Sequence, residues 1–254
     1  MSTRAQGRDA GARGESGEHG TDRRAIVCHG AGSSAAAARL LVPPDSLGAQ
    51  EVAYPEDRTG DVEEVMRVLD AWDRGLDEGT ERIVAGISLG AHAAARWAAR
   101  RPRGRGERLT LVLALPAWTG PPGPAADATR ASARQVRQLG IAGVLDSLTA
   151  SDQGERAPIL DLLALAWSSY DEDELARALE RAAVGWGPTA ADLRSLACPA
   201  SVATWEADPF HPRDVGRAWA QALPRGREAP IPWTALAERL GTLGTLAAGA
   251  AGLP

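Results

Sequence analysis

Residues 82–97 read Arg82-Ile-Val-Ala-Gly-Ile-Ser-Leu-Gly-Ala-His-Ala-Ala-Ala-Arg-Trp97, and this stretch decides the fold. An apolar run breaks at Gly86-Ile87-Ser88-Leu89-Gly90 and continues as an alanine-rich segment, which predicts a buried strand, a sharp turn and a helix. The Gly-x-Ser-x-Gly spacing puts Ser88 at the tip of the turn. Gly86 and Gly90 are both needed there, because a Cβ at either position would collide with the neighbouring strand and helix.

A second glycine-containing motif lies upstream. Ile26-Val27-Cys28-His29-Gly30-Ala31-Gly32-Ser33-Ser34 predicts a strand followed by a glycine loop, and the helix-forming segment Ala35-Ala-Ala-Ala-Arg-Leu-Leu41 comes next. The backbone N–H groups of such a loop can stabilise a negative charge that develops on a carbonyl oxygen. Together with the serine turn, this loop resembles the α/β-hydrolase family over roughly residues 24 to 240.

The resemblance implies a fold and an oxyanion site. It implies an α/β fold in which a mostly parallel central sheet is flanked by helices and carries a helical cap insertion. In that family the residue after the His-Gly pair donates one N–H to the oxyanion, and here that residue is Ala31. The second donor would be the N–H of Leu89, where the helix dipole adds to the effect. His29 and Gly30 would then belong to the pocket wall or lie just behind it.

A dinucleotide site is one alternative for the upstream motif. Gly30-x-Gly32-x-x-Ala35 after a strand fits the Rossmann fingerprint. That interpretation leaves the turn at residues 86–90 unexplained, whereas a hydrolase uses both motifs. The chain contains neither lysine nor asparagine, so a P-loop lysine and a Schiff-base lysine are excluded from its chemistry.

Composition and charge limit the partners and the compartment. The 254 residues, 44% of them hydrophobic, can bury the core of one α/β domain with an insertion. The net charge is −5 and the arginines are scattered, so a nucleic-acid partner is not expected. No apolar segment reaches the roughly 20 residues that span a bilayer, so neither a membrane span nor a secretory signal is expected. We predict a cytoplasmic protein in which Cys28 and Cys198 form no disulfide.

The pattern divides the chain into a tail, a core and an insertion. Residues 1–22 lack periodicity and are expected to form a disordered tail. Residues 23–118 and 190–254 are expected to form the α/β core, and residues 119–189 a helical cap over the mouth of the site. Strands are predicted at Arg24–Cys28, Gln50–Tyr54, Glu81–Ile87, Arg108–Leu115, Pro199–Trp205 and Arg227–Ile231.

Three tryptophans lie in or beside the predicted cap. They are Trp118, Trp167 and Trp186. Large rings on a cap either line an apolar substrate pocket or fill the interior of the cap, and the sequence leaves both possibilities open.

A candidate for the catalytic acid follows the fifth predicted strand. In the loop Glu206-Ala-Asp-Pro-Phe-His-Pro212, the resemblance assigns the carboxylate that orients the catalytic imidazole to Asp208. The same family places its histidine after the last strand, which here would be near Pro232-Trp233-Thr234. No histidine follows His211, so the usual position of the base is empty.

Two histidines are candidates for the base, and a third has another expected role. His211 comes first, because it lies three residues after Asp208 on a loop above the sheet. His29, in the glycine loop, is the second candidate, although hydrogen bonds that hold the loop are another role for it. His92 is four residues after Ser88 on the same helix face and is expected to be a core or supporting residue.

Two functions follow from these residues. The first is hydrolysis of an ester or thioester of a small apolar acyl substrate, with Ser88 as nucleophile and no metal or organic cofactor. The second is a catalytically degenerate relative that binds, cyclises or isomerises a small molecule without hydrolysis. The distance from His211 Nε2 to Ser88 Oγ discriminates between them, since roughly 3 to 4 Å favours the enzyme.

Overall fold

A six-stranded parallel sheet lies at the centre of the molecule. The computed structural model describes residues 22–101, 108–152, 156–205, 208 and 210–254. The strands are β1 (Arg23–Cys28), β2 (Glu51–Ala53), β3 (Glu81–Ile87), β4 (Leu109–Ala114), β5 (Ala200–Thr204) and β6 (Gly226–Pro230). They run in the order β2-β1-β3-β4-β5-β6 with every neighbouring pair parallel, which confirms the predicted α/β class.

Helices pack on both faces of this sheet. In the described ranges they are α1 (Ala35–Leu41), α2 (Val62–Arg74), α3 (Leu89–Arg100), α4 (Pro124–Ser151), α5 (Ala157–Trp167), α6 (Glu172–Ala182), α7 (Ala190–Ser195), α8 (Arg213–Ala222), α9 (Trp233–Glu238) and α10 (Thr242–Ala251). Alternate residues of β3 face opposite cores: Ile83 and Ile87 pack with α1 and α10, whereas Val84 packs with α2 and α3. Burial on both faces explains the unbroken apolar runs of the strands.

The carboxyl ends of β1 and β3 lie side by side. β1 pairs with β2 on one edge and with β3 on the other, and Cys28 stands opposite Gly86 in the second pairing. The connections from these two strands therefore leave in different directions, which creates the crevice where open α/β sheets bind their ligands. The glycine loop, residues 29–34, begins directly after Cys28, and Ser88 begins directly after Ile87.

An insertion of helices separates β4 from β5. The predicted cap, residues 119–189, contains α4, α5 and α6. Gly140 interrupts α4 with φ 70° and ψ 168°, which are values outside the helical region. The two ends of the insertion meet at a neck, residues 117–120 and 185–188. There the Gly120 N–H donates to Pro188 O and the Gly187 N–H donates to Gly120 O, both at 2.8 Å.

Three expectations about the tail, the cysteines and the membrane can be compared with the structure. The predicted disordered tail lies outside the described residues, apart from Asp22. Cys28 and Cys198 are both described and are not joined by a disulfide. Over the described ranges, no helix combines the length and the apolar character that crossing a bilayer requires.

Candidate active site

Ser88 occupies a strained turn between β3 and α3. Its φ of 55° and ψ of −113° are unusual for a residue with a side chain. A Cβ on Gly86 would lie 2.3 Å from Gly90 O, and a Cβ on Gly90 would lie 2.1 Å from Cys28 O. The predicted need for both glycines is therefore confirmed: α3 starts so close to β1 and β3 that only hydrogen fits. Ser88 itself remains half-buried.

The glycine loop passes directly against Ser88. A Cβ on Gly30 would lie 3.1 Å from Ser88 Cβ and 3.6 Å from Ser88 Oγ. The next residue, Ala31, is one predicted oxyanion donor, and Leu89, the first residue of α3, is the other. Within the described ranges, neither of these two N–H groups donates a hydrogen bond to a protein acceptor. These two backbone N–H groups are therefore free to donate to another acceptor, as the predicted oxyanion role requires.

Asp208 and His211 meet Ser88 in one hydrogen-bonded series. His211 Nε2 lies 2.9 Å from Ser88 Oγ, and His211 Nδ1 lies 2.6 Å from Asp208 Oδ2. With the proton on Nδ1, the ring donates to Asp208 and its Nε2 accepts from the serine hydroxyl. The short loop after β5 supplies both the carboxylate and the imidazole, and the structure brings all three predicted residues together.

The carboxylate of Asp208 is held as an anion. Burial raises its pKa, but the neighbouring His211 ring and the hydrogen bonds from His211 and Trp205 lower it more, and the resulting pKa is about 2. Asp208 Oδ1 also accepts from the backbone N–H groups of Phe210 at 2.8 Å and His211 at 3.2 Å. At neutral pH this side chain is therefore ionised and faces the Nδ1 proton of His211.

His29 is engaged on both ring nitrogens and does not contact Ser88. Its Nδ1 donates to Gly30 O at 2.8 Å, and its Nε2 accepts from the Asp57 N–H at 3.0 Å. These bonds fix the orientation of the ring inside the glycine loop. Of the two roles considered for His29, the structure favours support of the loop over that of the base.

His92 is a buried support for the neck. Its Nε2 accepts from the N–H groups of Ala117, at 3.0 Å, and Trp118, at 3.4 Å. Burial is the main cause that lowers its pKa, His211 and Arg96 lower it further, and the pKa falls to about 3. The ring is thus neutral at neutral pH. It matches the expectation of a core or supporting residue.

The neck is attached to the core at further points. Arg96, one turn beyond His92 on α3, donates to Trp186 O at 3.0 Å. Trp219 of α8 donates to Thr119 Oγ1 at 2.8 Å, and its ring lies 5.4 Å from that of His92. Both segments of the neck, residues 117–120 and 185–188, are therefore bonded to α3, the helix that follows Ser88.

The three tryptophans of the insertion have different surroundings. Trp118 is buried, packs edge-on against His92 and donates to Gly185 O at 3.1 Å. Trp167 is also buried and donates to Gly32 O at 2.9 Å, whereas Trp186 is 55% exposed. Sequence reasoning missed a similar contact, in which Tyr170 OH donates to Ser33 O at 2.9 Å. Trp118 thus belongs to the neck, and Trp167 joins Tyr170 in holding the glycine loop.

An open cavity of about 1230 Å³ lies among the insertion helices. Trp167 and Tyr170, which bind the carbonyls of the glycine loop, are part of its wall. The other wall residues are Arg137, Ile141, Ala142, Leu145, Ala164, Ser168, Asp171, Glu172, Asp173 and Arg177. The wall of the cavity therefore contains both apolar and charged side chains.

Comparisons with known proteins find similarity in structure only. No protein-family model and no curated protein matches the sequence. MGS-M2, an alpha/beta hydrolase enzyme from a Medee basin deep-sea metagenome library, is 16% identical in sequence, with a TM-score of 0.62. The match covers 92% of this chain and 90% of the MGS-M2 chain. A thermophilic esterase from Thermogutta terrifontis is 19% identical with a TM-score of 0.62, covering 84% and 82%. The enol-lactonase from Burkholderia xenovorans LB400 is 18% identical with a TM-score of 0.62, covering 84% and 84%.

Proposed function

We propose that this chain, which has the α/β-hydrolase fold, is a serine hydrolase that cleaves an ester or thioester of a small apolar acyl group. One observation carries the proposal: the series from Asp208 through His211 to Ser88, with contacts of 2.6 and 2.9 Å. An activated serine needs a base within hydrogen-bond reach and a third group that orients the base. The names of two structural neighbours, an esterase and an enol-lactonase, support the same class of reaction.

Acylation begins at the serine hydroxyl. As Ser88 Oγ forms a bond to the carbonyl carbon of the substrate, its proton passes to His211 Nε2. The π electrons of the carbonyl move onto its oxygen, and the N–H groups of Ala31 and Leu89 stabilise the negative charge there. The ionised Asp208 stabilises the imidazolium that has formed.

Product release reverses the proton transfer. The tetrahedral intermediate collapses, the bond to the alcohol or thiol breaks, and His211 gives its proton to that leaving group. A water molecule then attacks the acyl-enzyme, again losing its proton to His211 Nε2. Collapse of the second intermediate returns the proton to Ser88 Oγ and releases the carboxylic acid.

The direction of the His211 ring favours hydrolysis over the alternative of a degenerate relative that binds or rearranges a molecule. In a degenerate site the ring would turn into its own loop and bond to backbone. Here its Nε2 bonds to Ser88 and its Nδ1 bonds to Asp208. A base in that position makes water-dependent deacylation available to the same residues.

The remaining parts of the proposal concern the insertion and the partners. Residues 119–189 act as a cap, since Trp167 and Tyr170 bind the glycine loop from the insertion side. The binding partner is a small acyl substrate, and neither nucleic acid nor a membrane is a partner. The absence of a disulfide between Cys28 and Cys198 supports a cytoplasmic location.

Labelling with a fluorophosphonate tests the proposed function. The native chain is expected to bind the probe covalently, and Ser88→Ala is expected to lose all labelling. His211→Ala is expected to label at least about a hundredfold more slowly, because a serine without its base is a weak nucleophile. Thermal unfolding of each variant serves as the control for folding. Absence of labelling in the native chain, or equal labelling of His211→Ala, would contradict the proposal.

A further inference from the structure

The carboxylate of Asp208 accepts one hydrogen bond from a residue that precedes its loop, residues 206–212. Its Oδ1 accepts from the backbone of Phe210 and His211, and its Oδ2 accepts from the His211 ring. These three bonds lie within the loop and would persist if the loop moved as a unit. The fourth comes from the indole Nε1 of Trp205, the residue that follows β5.

Trp205 is itself fixed by a neighbouring element. Its ring is 9% exposed and lies 6.2 Å from the ring of Trp233, at an angle of 81°. Trp233 is the first residue of α9, just beyond β6, and the backbone of the two strand ends is joined by a bond of 2.7 Å from Ile231 N to Thr204 O. Such edge-to-face packing of the buried Trp205 ring against the partly buried Trp233 ring restricts the orientation of both.

Trp233 stands where the resemblance places the catalytic histidine. In this chain the base has moved to the loop that carries the acid, three residues from Asp208. The bonds inside the loop hold the acid to the base, but they do not set the distance of either group from Ser88. That distance also depends on contacts between the loop and its surroundings.

We propose that Trp205 is a positioning residue which holds Asp208, and through it His211, against Ser88, and that Trp233 keeps the Trp205 indole in place. This inference rests on the proposed function and deepens it. The position that no longer carries the base then supports the acid instead. The indole N–H also stabilises the charged form of the carboxylate, in line with its lowering of the Asp208 pKa.

Two substitutions of buried tryptophans test this role. Trp205→Phe removes the donor to Asp208 and keeps an aromatic ring against Trp233. Trp97→Phe is the matched control, because Trp97 is also buried and its Nε1 donates to the carboxylate of Asp70 at 2.9 Å, away from the loop. Replacing Trp205 by its benzothiophene isostere removes only the N–H and leaves the shape of the ring, which protects the test against a folding defect.

Two measurements are made on each protein. The first is the rate of fluorophosphonate labelling, and the second is the NMR resonance of the His211 Nδ1 proton, which lies far downfield when that proton is bonded to a carboxylate. We expect Trp205→Phe and the isostere to label about tenfold more slowly, the effect of losing one charge-assisted hydrogen bond, and to shift or broaden the resonance. Trp97→Phe should stay within about twofold of the native rate with the resonance unchanged.

The outcomes separate this inference from the proposed function. If the Trp205 variants behave like Trp97→Phe in both measurements, the positioning role is wrong, although the proposed hydrolase function still stands. If the native chain does not label at all, the proposed function fails, and the resonance still tests the inference. A downfield resonance that is unchanged in the isostere then overturns the inference, and one that shifts or broadens supports it.

Discussion

His211 Nε2 lies 2.9 Å from Ser88 Oγ, although the two residues are 123 positions apart in the chain. The contact forms because β5 lies two strands from β3, and both strands end at the carboxyl end of the parallel sheet. The loop that follows β5 therefore starts close to Ser88. The His211 imidazole thus reaches Ser88 from the loop that also carries Asp208, and not from the segment after β6.

The charge on Asp208 is expected to be essential for turnover. In Asp208→Asn the amide group can donate to His211 Nδ1, so the proton of the ring shifts to Nε2 and the ring can no longer accept from Ser88. We expect kcat for p-nitrophenyl butyrate to fall by about ten-thousandfold with the fold intact. Asp70→Asn, at a carboxylate that binds Trp97, is the control and should keep kcat within about twofold. A fall of less than tenfold in Asp208→Asn would show that the carboxylate is dispensable.

Because α3 approaches β1 closely, we expect Gly90 not to tolerate a side chain. A Cβ on Gly90 would lie 2.1 Å from Cys28 O and 2.9 Å from His29 O, both backbone atoms. Gly90→Ala should lower the free energy of unfolding by more than about 3 kcal/mol, because α3 must move away from the sheet. Gly249→Ala is the control, since nothing lies within 4 Å of a Cβ there and the residue is inside α10. It should raise stability by about 0.5–1 kcal/mol in urea titrations.

Burial of His92 predicts a loss of stability in acid. Its pKa of about 3 in the folded chain lies below the ordinary value of 6.5, so the unfolded chain binds more protons between these two pH values. The free energy of unfolding should therefore fall as the pH decreases from 6.5 toward 3, by at most about 1.4 kcal/mol per pH unit from this residue. His92→Gln keeps an acceptor for Ala117 but cannot be protonated, so its stability should depend less steeply on pH. Parallel curves for the two proteins would refute the assignment.

The two bonds from the insertion to the glycine loop are expected to affect catalysis. Tyr170→Phe removes the donor to Ser33 O, and Tyr54→Phe removes a comparable donor to Val42 O, at 2.6 Å, away from the loop. Each should cost about 1 kcal/mol of stability. Only Tyr170→Phe should also lower kcat for p-nitrophenyl butyrate, by about three- to tenfold, because the loop carries the N–H of Ala31. An equal kcat in the two variants would mean that the Tyr170 bond does not position the loop.

Local chemistry made the core of this fold predictable from the sequence. The run from Glu81 to Ile87 matches β3 to the residue, and the turn at Ser88 follows from the sterics of its glycines. The start of α2 is equally local, since the side chain of its N-cap residue Asp61 accepts from the Glu63 N–H. Each of these features depends on residues within a few positions of one another.

The contacts that complete the site could not be predicted in the same way. Whether the His211 ring turns toward Ser88 or into its own loop depends on an element 123 residues away. Trp167 and Gly32 are separated by 135 positions, and nothing in either local sequence indicates their bond. A tryptophan three residues before the acid is a signal that could have pointed to Trp205, but only once the position of the base was known.

The bonds at the neck limit where the insertion can move. His92 and Arg96 bind the two sides of the neck from the same face of α3, and Thr119 is bonded to Trp219 of α8. These bonds join the neck to α3 and α8, so a hinge at the neck would have to break several of them at once. We expect any opening motion to occur farther out, where Gly140 already divides α4 into two arms.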